Sequence, residues 1–118
     1  LQEVRLAVKD AASQQEEEMP AGTRKVVGSY IGTGSAFNIT TVGFRPRSVK
    51  LWNITGLTTA VWMRDMPDAS AFKQINHADT QNVYVTANGI TPLSNGFTVG
   101  TDADINTAAE TVMFEASD

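Results

Sequence analysis

The sequence predicts an all-β fold, an antiparallel β-sandwich of jelly-roll type preceded by an N-terminal helical or extended arm. Three observations carry this. Short runs rich in Val, Thr and aromatic residues recur between turn residues at the spacing of all-β domains. Several of those runs alternate, with Val112, Phe114 and Ala116 on one side of a strand and Met113 and Glu115 on the other. All nine glycines lie beyond residue 21, so the composition changes sharply after the first segment. The chain of 118 residues is long enough for one core.

Residues 1–22 read as the arm and 23–118 as the β domain. The arm is rich in Gln, Glu and Ala, and Leu1, Val4, Val8 and Ala11 recur at helical spacing as one narrow apolar stripe. The acidic run Glu16-Glu17-Glu18 opposes a helix dipole at its C-terminal end, and Met19-Pro20-Ala21-Gly22 closes the segment. A solitary helix of that length is marginal in water, so the arm is expected to order against a neighbour.

Strands are expected at Lys25–Ile31, Phe37–Val42, Ser48–Ile54, Thr58–Arg64, Asn82–Ala87, Ile90–Leu93, Gly96–Val99 and Thr111–Ala116. Asn88-Gly89 between two apolar runs signals a hairpin, because both residues tolerate positive φ. Ser94-Asn95-Gly96 reads as a second tight reversal, and Gly32-Thr33-Gly34-Ser35 links the first two strands. Asp65 to Asp79, with Pro67, reads as a surface loop holding one helical turn. Phe37, Phe44, Trp52, Trp62, Phe97 and Phe114 are the aromatic candidates for the core.

Net charge is −4 and falls in blocks: −3 over residues 1–18, +6 over 19–64, −7 over 65–118. Either the blocks face complementary protein surfaces, or the strands interleave in space and mix the signs. Arg24, Lys25, Arg45 and Arg47 are the candidate docking patch. A sequence pI near 4.8 opposes binding to a phosphate backbone, so no nucleic-acid partner is expected. No apolar run approaches the ~20 residues needed to span a bilayer, and no signal segment is read at the start, so no membrane partner is expected either.

Motifs for chemistry are sparse. The single histidine, His77, could join Asp79 and a serine such as Ser70, but no nucleophile motif accompanies them, and no catalytic residue is assigned. Without cysteine there is neither a disulfide nor a thiolate metal site. Asp102, Asp104 and Asn106 open with calcium-loop spacing, but Thr107 and Met113 stand where the turn glycine and the closing glutamate belong. The expected reading is a solvated turn, with no metal and no cofactor. The glycines of 28–34 lead into a strand rather than a helix, which argues against a phosphate cradle. Asn38-Ile39-Thr40 and Asn53-Ile54-Thr55 are formal glycosylation sequons, read as polar strand residues. Trp52, Trp62, Tyr30 and Tyr84 could line a sugar-binding face; both tryptophans are expected in the core instead.

The stretches GSYIGTGS (28–35), GFRPRSVKLWN (43–53) and GFTVGTDADIN (96–106) resemble a β-sandwich module of bacteriophage and prophage structural proteins. That module has a G-x-Y-x-G-x-G opening, a G-F-x-P-x-x-V third strand and a G-F-x-V-G … N ending. The resemblance spans about residues 26–116 and leaves the arm unmatched. It implies a capsid decoration (cement) protein on the virion surface, often a trimer, bridging subunits of the major capsid protein. The alternative it implies is a tail or fibre module binding a host receptor or glycan.

Overall fold

The computed structural model describes residues 24–76 and 81–118. The arm with Leu1, Val4, Val8 and Ala11 lies outside the described residues, as do His77 and Asp79. Among the described residues the fold is all-β, with no helix. The strands are β1 (Lys25–Ile31), β2 (Phe37–Ile39), β3 (Ser48–Asn53), β4 (Thr58–Met63), β5 (Ser70–Ile75), β6 (Gln81–Leu93), β7 (Gly96–Val99) and β8 (Thr111–Ser117). They form one antiparallel sheet in the order β1-β8-β3-β4-β5-β6-β7-β2.

The sheet curls so that one face becomes the core. Val49, Leu51, Ala60, Trp62, Phe97, Val99, Val112, Phe114 and Ala116 alternate onto that face and are buried. Rings from strands far apart in the ladder meet inside: Tyr30 of β1 packs edge-on against Phe37 of β2, and Phe97 of β7 against Phe114 of β8. Gly28 lies opposite Phe114 in the β1–β8 register, and a Cβ there would come within 2.7 Å of the Phe114 ring. The glycine makes room for the ring.

Three expectations fail, each for a physical reason. The Asp65–Asp79 stretch is not simply a loop: it contains β5, and no helix among its described residues. Its buried lysine, Lys73, disguises the alternation, because a charge on the inward face reads as a surface residue. Asn88-Gly89 is not a hairpin turn but an irregularity within the single strand β6. The β5–β6 register jumps from Ala71↔Val85 to Ser70↔Ile90. Asn88 takes φ 64°, and a Cβ on Gly89 would meet the Ser70 carbonyl at 2.5 Å. Turns and bulges demand the same backbone freedom, so the dipeptide alone does not choose between them. Finally, Trp52 is not core: it projects from the outer face, 38% exposed, while Trp62 is buried. The two-residue reversal at Ser94-Asn95 is as expected, with Leu93 paired to Gly96.

Candidate functional site

Two regions carry concentrated polar or exposed apolar groups. The first is the end of the sheet where the loop between β7 and β8 folds back. Lys73, inward on β5, donates to both carboxylate oxygens of Asp102 (3.0 and 2.9 Å) and to Asp104 (2.7 Å). Its burial would lower the ammonium pKa, but the bonds to Asp104 and Asp102 outweigh burial and hold it above the ordinary lysine value. Asp102 also accepts from the Asp104 amide. Tyr30 donates its hydroxyl to the Ile105 carbonyl at 2.7 Å, and burial, with the Asp102 charge, pushes its pKa up.

Asn106 completes this end. Its amide nitrogen donates to the Ser35 and Gly100 carbonyls, and its oxygen accepts from the Thr33 and Gly34 amides. The glycine loop of 32–35 therefore cradles an internal side-chain oxygen. The Asp102–Asn106 turn is also not the solvated turn expected: its side chains are spent on a buried lysine and on neighbouring backbone. Among the described residues, no group of three or more His, Cys, Asp or Glu is arranged to hold a metal.

Asn53 is similarly committed. It donates to the Asp104 carbonyl and Glu110 and accepts from the Thr55 and Gly56 amides, so this sequon asparagine is buried and fully engaged. A cleft of about 350 Å³ lies beside it, with Thr58, Asp104, Thr107 and Glu110 in its wall. Ser70, the serine considered with His77, is buried and donates to the Pro67 carbonyl at 2.6 Å.

The second region is the outer face. The strand registers align Val27, Glu115, Lys50, Val61, Phe72 and Tyr84 in one row across β1, β8, β3, β4, β5 and β6. The adjacent row runs Ser29, Met113, Trp52, Thr59, Gln74, Asn82. Trp52, Phe72, Tyr84 and Met113 are all exposed. A groove of about 350 Å³ opens beside Trp52, with Ile54 and Leu57 on its apolar wall.

The predicted basic patch is partly assembled. Arg24, Lys25 and Arg47 gather at one end of β1, β8 and β3, and Arg64 joins them, its amide bonded to the Arg47 carbonyl. Arg45 instead reaches toward the Pro92 carbonyl of β6. Because β8 inserts between β1 and β3, acids from the C-terminal block meet bases from the central one: Arg24 pairs with Asp118 and Lys25 with Glu115. Glu115 is consequently held below the ordinary carboxylate value by Lys25. Interleaving thus neutralises part of the block pattern, and Arg24 also stacks 4.9 Å over the Phe44 ring. The exposed aromatic row was legible only as alternation; which side of each strand faces outward had no sequence signal at Trp52.

Comparisons with protein-family models, with curated proteins and with solved structures each found no match.

Proposed function

We propose that this chain is a structural protein of a bacteriophage particle, a capsid decoration (cement) protein that sits on the virion surface and bridges subunits of the major capsid protein. One observation supports an assembling role most: the outer sheet face presents Trp52, Met113, Val61, Phe72 and Tyr84 around a few charges, with a basic end at Arg47 and Arg64. Exposed aromatics and methionine of this kind suit a protein interface. The concentrated polar clusters are consumed by internal bonds, so the chemistry most available to a partner is the face itself. The phage-like motifs at 28–35, 43–53 and 96–106 supply the particular setting. In the jelly-roll-like sandwich they imply, the two halves of the curled sheet serve as its layers.

The test is reassociation with capsids stripped of the protein. Binding should raise the capsid melting temperature, and Trp52→Ala with Phe72→Ala should lose binding while the domain stays folded. No rebinding by the wild type would sink the proposal. A second reading, a tail or fibre module for a host glycan, is favoured by the exposure of Trp52 beside its groove. It requires retention on host cells or immobilised glycans, abolished by Trp52→Ala alone.

A further inference from the structure

The two edges of the sheet differ in a way that bears on self-association. β2 is an edge of only three residues, too short to template much pairing. β1 is an edge of seven residues. Its pairing with β8 shows which of its groups are open. The Gly32 amide donates to the Glu110 carbonyl and the Asp118 amide to the Arg24 carbonyl, at 2.8 and 3.1 Å. Hydrogen-bonded and non-hydrogen-bonded pairs alternate along an antiparallel ladder. In the observed register the even-numbered residues of β1 therefore bond to β8. Lys25, Val27, Ser29 and Ile31 turn their N–H and C=O groups outward, with no backbone partner among the described residues. Within Val27–Ile31 there is no proline and no charge to blunt the edge. Two side chains on it are among the most exposed large apolar groups: Val27 at 71% and Ile31 at 62%.

We propose that β1 pairs edge to edge with β1 of a second copy, antiparallel about a two-fold axis through Ser29. In that register Val27 of each copy lies opposite Ile31 of the other, and Ser29 opposes Ser29. Two apolar cross-strand pairs form, together with about six backbone hydrogen bonds. The contact is self-complementary, as a two-fold interface must be. A register centred on Gly28 would set charged Lys25 against Ile31. One centred on Val27 would leave Ile31 without a partner in the other β1. Only the register centred on Ser29 sets Val27 opposite Ile31. Lys25 then falls opposite Thr33 and keeps its bond to Glu115. A second copy is favoured over a foreign strand because this one segment supplies both halves of each apolar pair. The pairing stands independently of any capsid role.

The chain has no cysteine, so single introduced thiols report the register unambiguously. Opposed residues in a hydrogen-bonded pair have Cα atoms about 5.5 Å apart, within disulfide reach. In full-length protein under mild oxidation, Ser29→Cys should form disulfide dimers at least tenfold faster than Val27→Cys. The Val27 positions would be four residues apart along the strands, roughly 13 Å. Asn38→Cys, exposed on β2, controls for random collision and should be equally slow. Sedimentation of the wild type should show concentration-dependent dimers, lost in Val27→Lys/Ile31→Lys, whose melting curve should match that of the wild type diluted to monomer. Equal cross-linking at all three positions, faster cross-linking at Val27→Cys, or a wild type no more associated than the lysine variant would overturn the proposal.

Discussion

Lys73 shows how a single buried charge is tolerated. The residue is 5% exposed, and its ammonium meets Asp102 and Asp104 at hydrogen-bond distance. Removing the lysine leaves two partly enclosed carboxylates side by side without their cation, which costs about 3–5 kcal/mol. Lys73→Met should therefore lower stability in denaturant titration by that order. A loss below about 1 kcal/mol would mean the carboxylates simply turn to water. The pH dependence has a definite sign. Lys73 and Tyr30 both have folded pKa values above their ordinary ones. A raised folded pKa gives stability that is complete below the unfolded pKa and is lost as pH rises through the folded one. The melting temperature should fall once pH passes roughly 10, and Lys73→Met should flatten the lysine share of that fall.

At the scale of elements, β1 and β8 are matched by a small residue against a large one. Gly28 leaves the space that the Phe114 ring fills, and the two are direct partners in the ladder. Gly28→Val should destabilise the domain by about 1–3 kcal/mol through overpacking. Adding Phe114→Leu, which withdraws the ring, should recover part of that loss in a double-mutant cycle. Strict additivity of the two changes would show that they do not meet. The boundaries of β1 and β7 follow directly from alternation and flanking glycines, whereas β5 was hidden. Its inward lysine breaks the apolar pattern, and only Asp102 and Asp104, about thirty residues onward, make that position tenable. Likewise, Asn88-Gly89 declared a need for positive φ but not whether the chain reverses there or continues past a bulge.

For the whole molecule, the two tryptophans measure the difference between the faces of the curled sheet. Trp62 is buried with its indole nitrogen donating to the Pro67 carbonyl, so Trp62→Ala should cost about 3–5 kcal/mol. Trp52 lies on the outer face, and Trp52→Ala should change stability by about 1 kcal/mol or less while weakening any partner that docks there. Comparable losses from both would contradict the assignment of faces. By itself the sequence determined the all-β class, most strand positions, the Ser94-Asn95 reversal and the structural character of the glycine motifs. These depend on local alternation and on backbone freedom, which are written residue by residue. Only the tertiary structure decided that β8 lies between β1 and β3, that the acidic turn closes on Lys73 and Asn106 closes the glycine loop, and that Trp52 faces outward. Each depends on which distant segment becomes a neighbour once the sheet curls, and period-two alternation is silent on which of two faces is turned to water.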